Sequence, residues 1–121
     1  MLREVLTGKI HKANVTEANL AYVGSITIDI ELMKHADLWA GQKVLVVSNT
    51  SGARVETYVI EGDAKSGIIC MNGAAAHHIK KGDEIIIMGF ALSDRPWIAK
   101  NVLVNKTNQF VRYLNRDDKI V

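Results

Sequence analysis

Lys43-Val44-Leu45-Val46-Val47-Ser48-Asn49-Thr50-Ser51-Gly52-Ala53-Arg54-Val55-Glu56-Thr57-Tyr58-Val59-Ile60 is the stretch on which the fold turns. Two runs rich in Val flank Asn49-Thr50-Ser51-Gly52, a cluster that favours chain reversal, so the segment reads as a β-hairpin. In its second strand Arg54, Glu56 and Tyr58 fall on one face and Thr57 points the other way. The first strand is apolar without alternation from Val44 to Val47, as is Ile85 to Met88. Such strands are covered on both faces.

Working outward, further strands are expected over residues 2–12, 25–30, 67–71, 83–92 and 99–105. Gly41, Gly62, Asn72-Gly73 and Lys81-Gly82-Asp83 mark reversals between them. Helical pieces are expected over 16–20, with Thr16 as its cap, and over 31–38, with a single turn at 74–78. Many short strands and no long helix define a mainly β fold, a small barrel or sandwich with short helices. The 121 residues suit one domain, with a single proline, no linker and no repeat. A chain of this size buries roughly two-thirds of its unfolded surface, enough for one core. Doubly covered strands in so small a chain then imply a subunit interface outside the barrel, hence an oligomer.

Composition excludes several functions. Fifteen basic against 13 acidic residues leave a net charge of +2, too balanced for a nucleic-acid or membrane-surface protein. Aromatic residues are 6%, too few for base-stacking platforms. The one cysteine, Cys70, excludes an internal disulfide and fits a reducing compartment. Its apolar setting, Ile68-Ile69-Cys70-Met71, reads as a buried inert thiol. The start Met1-Leu2-Arg3-Glu4 meets charge at once, and the longest apolar run, Ile85 to Leu92, is too short to span a bilayer. A cytoplasmic protein is expected. The charged, unpatterned tail 115–121 is the one segment expected to be disordered.

Few residues stand out chemically. Lys9 and His11, two apart on a strand, share a face, as do Arg54 and Tyr58. Each pair alone reads as a solvated polar surface. Together a Lys, an Arg and a Tyr suit a dianionic substrate, Arg as a planar fork and Lys as a point charge. Asn72-Gly73-Ala74-Ala75-Ala76 is a turn followed by small residues, either a tightly packed helix start or a place where a ligand meets backbone N–H groups. His77-His78 lacks the spacing of metal ligands, and no metal is expected. The pair Gly24-Ser25 carries no signal in isolation.

These pieces, in their order and spacing, resemble the aspartate alpha-decarboxylase family, pyruvoyl-dependent enzymes of pantothenate biosynthesis. The matching residues are Gly8-Lys9-Ile10-His11, Tyr22-x-Gly24-Ser25-Ile26-Thr27-Ile28-Asp29, Gly52-x-Arg54-x-x-Thr57-Tyr58, Asn72-Gly73-Ala74-Ala75-Ala76-His77 and Gly82-Asp83. They span roughly the first three-quarters of the chain, and the ordered set is far more specific than any one piece. Two departures stand against them. Val47 replaces an aromatic found in some relatives, and from Asp94 onward only Pro96 and the strand at 101–105 keep a loose likeness.

The resemblance implies a six-stranded double-psi β-barrel, a homotetramer with active sites at subunit interfaces, and a proenzyme that cuts itself at Gly24-Ser25. The products would be residues 1–24 and residues 25–121, the second carrying a pyruvoyl group made from Ser25. That ketone would condense with the amino group of L-aspartate and draw electrons as the alpha-carboxylate leaves. The resemblance assigns Thr57 to the oxyanion of the cleavage step and to substrate, and Tyr58 to proton donation. Gly73, Ala74 and Ala75 would meet substrate oxygen through their N–H groups. Lys9 and Arg54 are candidates for the two carboxylates, and Asn72, His11 and Tyr22 for further hydrogen bonds. Two alternatives stand at this point, a non-catalytic β-barrel binding module and a pyruvoyl enzyme acting on glutamate. A helper protein for maturation is left open.

Overall fold

The computed structural model describes residues 1–115, and the tail beyond Asn115 lies outside the described residues. The strands are β1 (Arg3–Asn14), β2 (Glu17–Asn19), β3 (Ser25–Asp29), β4 (Lys43–Ser48), β5 (Arg54–Gly62), β6 (Ile69–Asn72), β7 (Glu84–Ser93), β8 (Lys100–Val104) and β9 (Phe110–Tyr113). One helix, α1 (Ile30–Ala36), and one 3-10 turn (Gly73–His77) complete the described elements. The mainly β class with short helices holds.

The strands hydrogen-bond in the order β2-β6-β3-β5-β4-β7-β1-β8-β9. Six of them, β6 to β1, form a contiguous body, with β2 on one side and β8 and β9 on the other. The chain itself closes this body. β1 runs on through Val15 and Thr16 into β2, which pairs in parallel with β6 at the far end of the order. At that seam Thr16 N–H donates to the Ile69 carbonyl at 2.8 Å, and the Thr16 hydroxyl takes a bond from Ile69 N–H at 3.0 Å. Antiparallel ladders (β1–β7, β4–β5, β4–β7, β3–β6) mix with parallel ones (β1–β8, β3–β5).

Alternation decides what fills the barrel. Ile10, Ile26, Ile28, Val44, Val46, Val59, Ile69, Met71, Ile85, Ile87 and Val102 point inward and form the core. Each contributes about 1.5–3 kcal/mol by leaving water. The uniformly apolar runs prove to alternate too. Leu45, Val47, Ile86 and Met88 lie on the outer face and are only half-buried, so this chain alone covers one face of those strands and not the other.

Helix α1 plugs one side. Asp29 caps it, its Oδ1 accepting from Glu31 N–H at 2.8 Å, while Leu32, Met33 and Ala36 face the core. The helix sits so close to β1 that a Cβ on Gly8 would overlap the Ala36 carbonyl oxygen. The helix expected over 16–20 is instead the short strand β2. Thr16 spends its hydroxyl on Ile69 rather than on a helical N–H, and the open edge of β6 captures the segment as a strand.

Candidate active site

The site grows from the start of β3. The loop from Leu20 to Gly24 is exposed, and the next residue, Ser25, has no exposed surface at all. The chain therefore dives from solvent into the barrel wall across the Gly24–Ser25 bond. In the β3–β6 ladder Ser25 stands opposite Asn72 and Thr27 opposite Cys70. Side chains two apart on a strand share a face, so Ser25, Thr27, Cys70 and Asn72 meet.

Their hydrogen bonds form one network. Asn72 Nδ2 donates to Ser25 Oγ at 3.0 Å and to Thr27 Oγ1 at 3.0 Å. The Ser25 hydroxyl donates to the Val23 carbonyl at 3.1 Å, and the Cys70 thiol donates to Asn72 Oδ1 at 3.2 Å. Burial, and secondarily the charge of Glu17, push the Cys70 thiol up from its ordinary pKa, so it stays protonated as a donor.

Gly73 presses on the other side of the bond. Its φ is +73°, and a Cβ there would come within 2.7 Å of Gly24 Cα and N and 2.9 Å of the Tyr22 carbonyl oxygen. Glycine is required at 73 for both reasons. Gly24 is under no such constraint. Its φ lies outside the left-handed region, and a Cβ there would find its nearest neighbour, Asn72 O, 4.0 Å away. Neither its φ nor its surroundings require glycine at 24.

β5 runs beside β3 in parallel register, Ile26 level with Val59. One step back along both strands puts Ser25 level with Tyr58 and Gly24 level with Thr57. Tyr58 points outward and is 39% exposed, whereas Thr57 is half-buried on the opposite face. The 3-10 turn begins at Gly73 with no side-chain cap, because the Asn72 side chain is engaged with Ser25 and Thr27. Ala74 is exposed and Ala75 half-buried at its start.

The structure thus gathers Tyr22, through its backbone, with Gly24, Ser25, Asn72 and Gly73, and sets Thr57 and Tyr58 alongside. Among the described residues, no hydrogen bond joins Lys9, His11 or Arg54 to Ser25. Lys9 lies opposite Met88, which lies opposite Leu45, which lies opposite Glu56. β1 is hydrogen-bonded to β7 and β8 and not to β3. Arg54 opens β5, four residues before Tyr58 and roughly 13 Å along the strand. His11 is half-buried beside Lys9, and its pKa is lowered first by burial and then by the Lys9 charge. Among the described residues, Lys9, His11, Arg54, Thr57 and Tyr58 enter no side-chain hydrogen bond or ion pair. The one ion pair on this face joins Lys43 and Glu56 at 3.1 Å, between those groups.

Sequence reasoning missed Thr27 and the bond made by Cys70. The thiol is buried as expected, and it also hydrogen-bonds to Asn72. The signal was present in the period of the strand. Thr27 follows Ser25 by two, and Cys70 precedes Asn72 by two.

Barrel and site together define a class, a closed mixed β-barrel with a Gly-Ser bond set in its wall and the serine hydroxyl held by a buried amide. The chain belongs to the aspartate decarboxylase family, whose model matches residues 1–111. Aspartate 1-decarboxylase of Bacillus pumilus is 47% identical over 97% of this chain and 95% of its own length. That of Listeria welshimeri is 53% identical over 76% of this chain and 72% of its own. Aspartate 1-decarboxylase 1 of Frankia casuarinae is 55% identical over 91% of this chain and 74% of its own. Among solved structures, the rationally designed protein mkDPBB_sym_86 is 23% identical, covers 70% of this chain and 92% of its own, and has a TM-score of 0.49.

Proposed function

We propose that this chain cuts itself between Gly24 and Ser25 and, once cut, decarboxylates L-aspartate at the alpha-carboxylate to give β-alanine and CO2. The carrying observation is the fully buried Ser25, whose oxygen takes a hydrogen bond from Asn72 while Gly73 packs against Gly24.

Self-cleavage follows from ordinary chemistry. Ser25 Oγ bonds to the Gly24 carbonyl carbon, the C–N bond breaks, and the peptide becomes an ester with a free amine on residue 25. Loss of the Cα proton and rupture of the Cβ–Oγ bond then free a chain ending in the Gly24 carboxylate. Water enters the dehydroalanine left at 25 and ammonia leaves, giving a pyruvoyl group. With no strained φ at Gly24, the barrier is lowered by donors. One oxyanion donor contributes about 3–4 kcal/mol in other enzymes. Thr57, level with Gly24 on the neighbouring strand, supplies that donor in this reading, and Asn72 stabilises charge developing on Oγ.

The residues fit a pyruvoyl group at 25. The position is sealed from solvent and faces two neutral polar side chains, Asn72 and Thr27, which would hold it. When formed, the group supplies an electron sink for the departing carboxylate. Tyr58, outward-facing and level with Ser25, places its hydroxyl as general acid for the carbon that loses CO2. The uncapped N–H groups of Gly73, Ala74 and Ala75 suit a substrate oxygen. Lys9 and Arg54 are free to bind carboxylates, and His11 and Tyr22 border the same surfaces. In this reading a neighbouring copy brings Lys9 to the site. The half-buried Leu45, Val47, Ile86 and Met88 are the surface on which a homotetramer assembles.

Two variants test the roles. Thr57→Val is expected to remain largely uncut on a denaturing gel. Tyr58→Phe is expected to cut normally and to release β-alanine at least about 100-fold more slowly. Full cutting of the first, or unchanged turnover of the second, removes that residue from the account.

A further inference from the structure

We infer that Cys70 is a positioning residue for self-cleavage, whose thiol fixes the orientation of the Asn72 amide toward Ser25. The inference rests on the self-cleavage reading above.

The Asn72 amide has two chemically different ends and two ways to sit. In the structure its Nδ2 faces two hydroxyls and its Oδ1 faces sulfur. Both hydroxyls could serve either end, because a hydroxyl both donates and accepts. Sulfur cannot. A thiol donates one proton and is a poor acceptor, so only the Oδ1 end is satisfied beside Cys70. Its Sγ is 3.2 Å from Asn72 Oδ1 and 3.9 Å from the Met71 carbonyl, so the single proton goes to the amide. Asn72 and Cys70 are both 4% exposed, and water does not easily substitute for a missing partner there.

The orientation matters to Ser25. As it stands, Asn72 donates to Oγ, which favours negative charge developing on that oxygen as it attacks Gly24. It also leaves the hydroxyl proton on the Val23 carbonyl. In the reversed amide, Oδ1 would accept that proton and offer no donor to Oγ. Removing the thiol makes the reversed amide competitive. Serine at 70 keeps a donor at the same place, but its hydroxyl also accepts, so it supports the present orientation without enforcing it.

The test compares Cys70→Ser, Cys70→Ala and Cys70→Val, each checked for folding by circular dichroism, for the rate of cutting at 24/25. The Ala and Val variants are expected to cut on the order of tenfold more slowly, the scale of one lost hydrogen bond. The Ser variant is expected to cut at a rate between those of the parent chain and the Ala variant, because its hydroxyl keeps the donor but also accepts. Equal rates in all variants would overturn the inference. So would a folded Ser variant as slow as Ala, which would make the role one of packing. A second readout does not depend on cutting. With one cysteine in the chain, the S–H infrared band is unambiguous. It should lie at lower frequency in the parent chain than in folded Asn72→Ala, and equal frequencies would overturn the contact. An uncut parent chain would sink the self-cleavage reading while the band still tested the thiol–amide bond.

Discussion

At the scale of single residues, the polar side chains around Ser25 are paired with one another, while Lys9 and Arg54 enter no ion pair among the described residues. Asn72 spends both its N–H bonds and one lone pair within the network, so Ser25 Oγ has a fixed place. His11 shows the opposite condition. It sits half-buried beside Lys9, and both burial and that charge disfavour its protonated form, so its pKa lies below 6.5. The unfolded chain then binds a proton that the folded chain refuses as pH falls through 6.5, and stability declines there. A proton NMR titration of His11 should give a midpoint below 6.5, moving upward in Lys9→Met. A midpoint at or above the ordinary value would contradict the packing around His11. These relations were only partly legible. That Lys9 and His11 share a face follows from a period of two, but the cost of burying His11 depends on what covers it.

At the scale of elements, the β3–β6 ladder and the turn after it are the machine. β6 sets Asn72 opposite Ser25, and the turn beginning at Gly73 packs on Gly24. Gly73→Ala would put an L-residue at φ +73° and a methyl against the Gly24 backbone. That substitution should lower stability by at least about 2 kcal/mol in urea denaturation and slow cutting sharply. Parent-like stability with normal cutting would show that the turn is not pressed against the bond. The elements themselves were legible where pattern was strong: the hairpin β4–β5, β3, β7 and α1 lie within a residue or two of expectation. β2 was not, because three residues become a strand only through the edge they meet. β9 was not, although Phe110-Val111-Arg112-Tyr113 follows a turn in which Asn108 has φ 58°. Its pairing with β8 is tertiary.

At the scale of the whole molecule, the barrel holds the Gly24–Ser25 bond and Lys9 on strands that are not hydrogen-bonded neighbours. Ser25 and Tyr58 lie by the β3–β5 pair, and Lys9 lies on β1, which is hydrogen-bonded to neither of those strands. No sequence pattern specifies that separation, because register places a residue on a strand while closure of the barrel places the strand. The proposed supply of Lys9 by a neighbouring copy predicts complementation between copies. Ser25→Ala and Lys9→Met chains, each inactive alone, should regain activity when co-assembled, since a mixed assembly holds one intact site. Persistent inactivity in verified mixed oligomers would mean that Lys9 serves its own chain. The most direct test of the account is the intact mass of the chain under denaturing conditions, before and after treatment with hydrazine. The account predicts two fragments, residues 1–24 and a larger one from position 25 that gains a hydrazone, appearing together with β-alanine production. A single uncut chain that bears an ordinary Ser25 and still decarboxylates aspartate would contradict it.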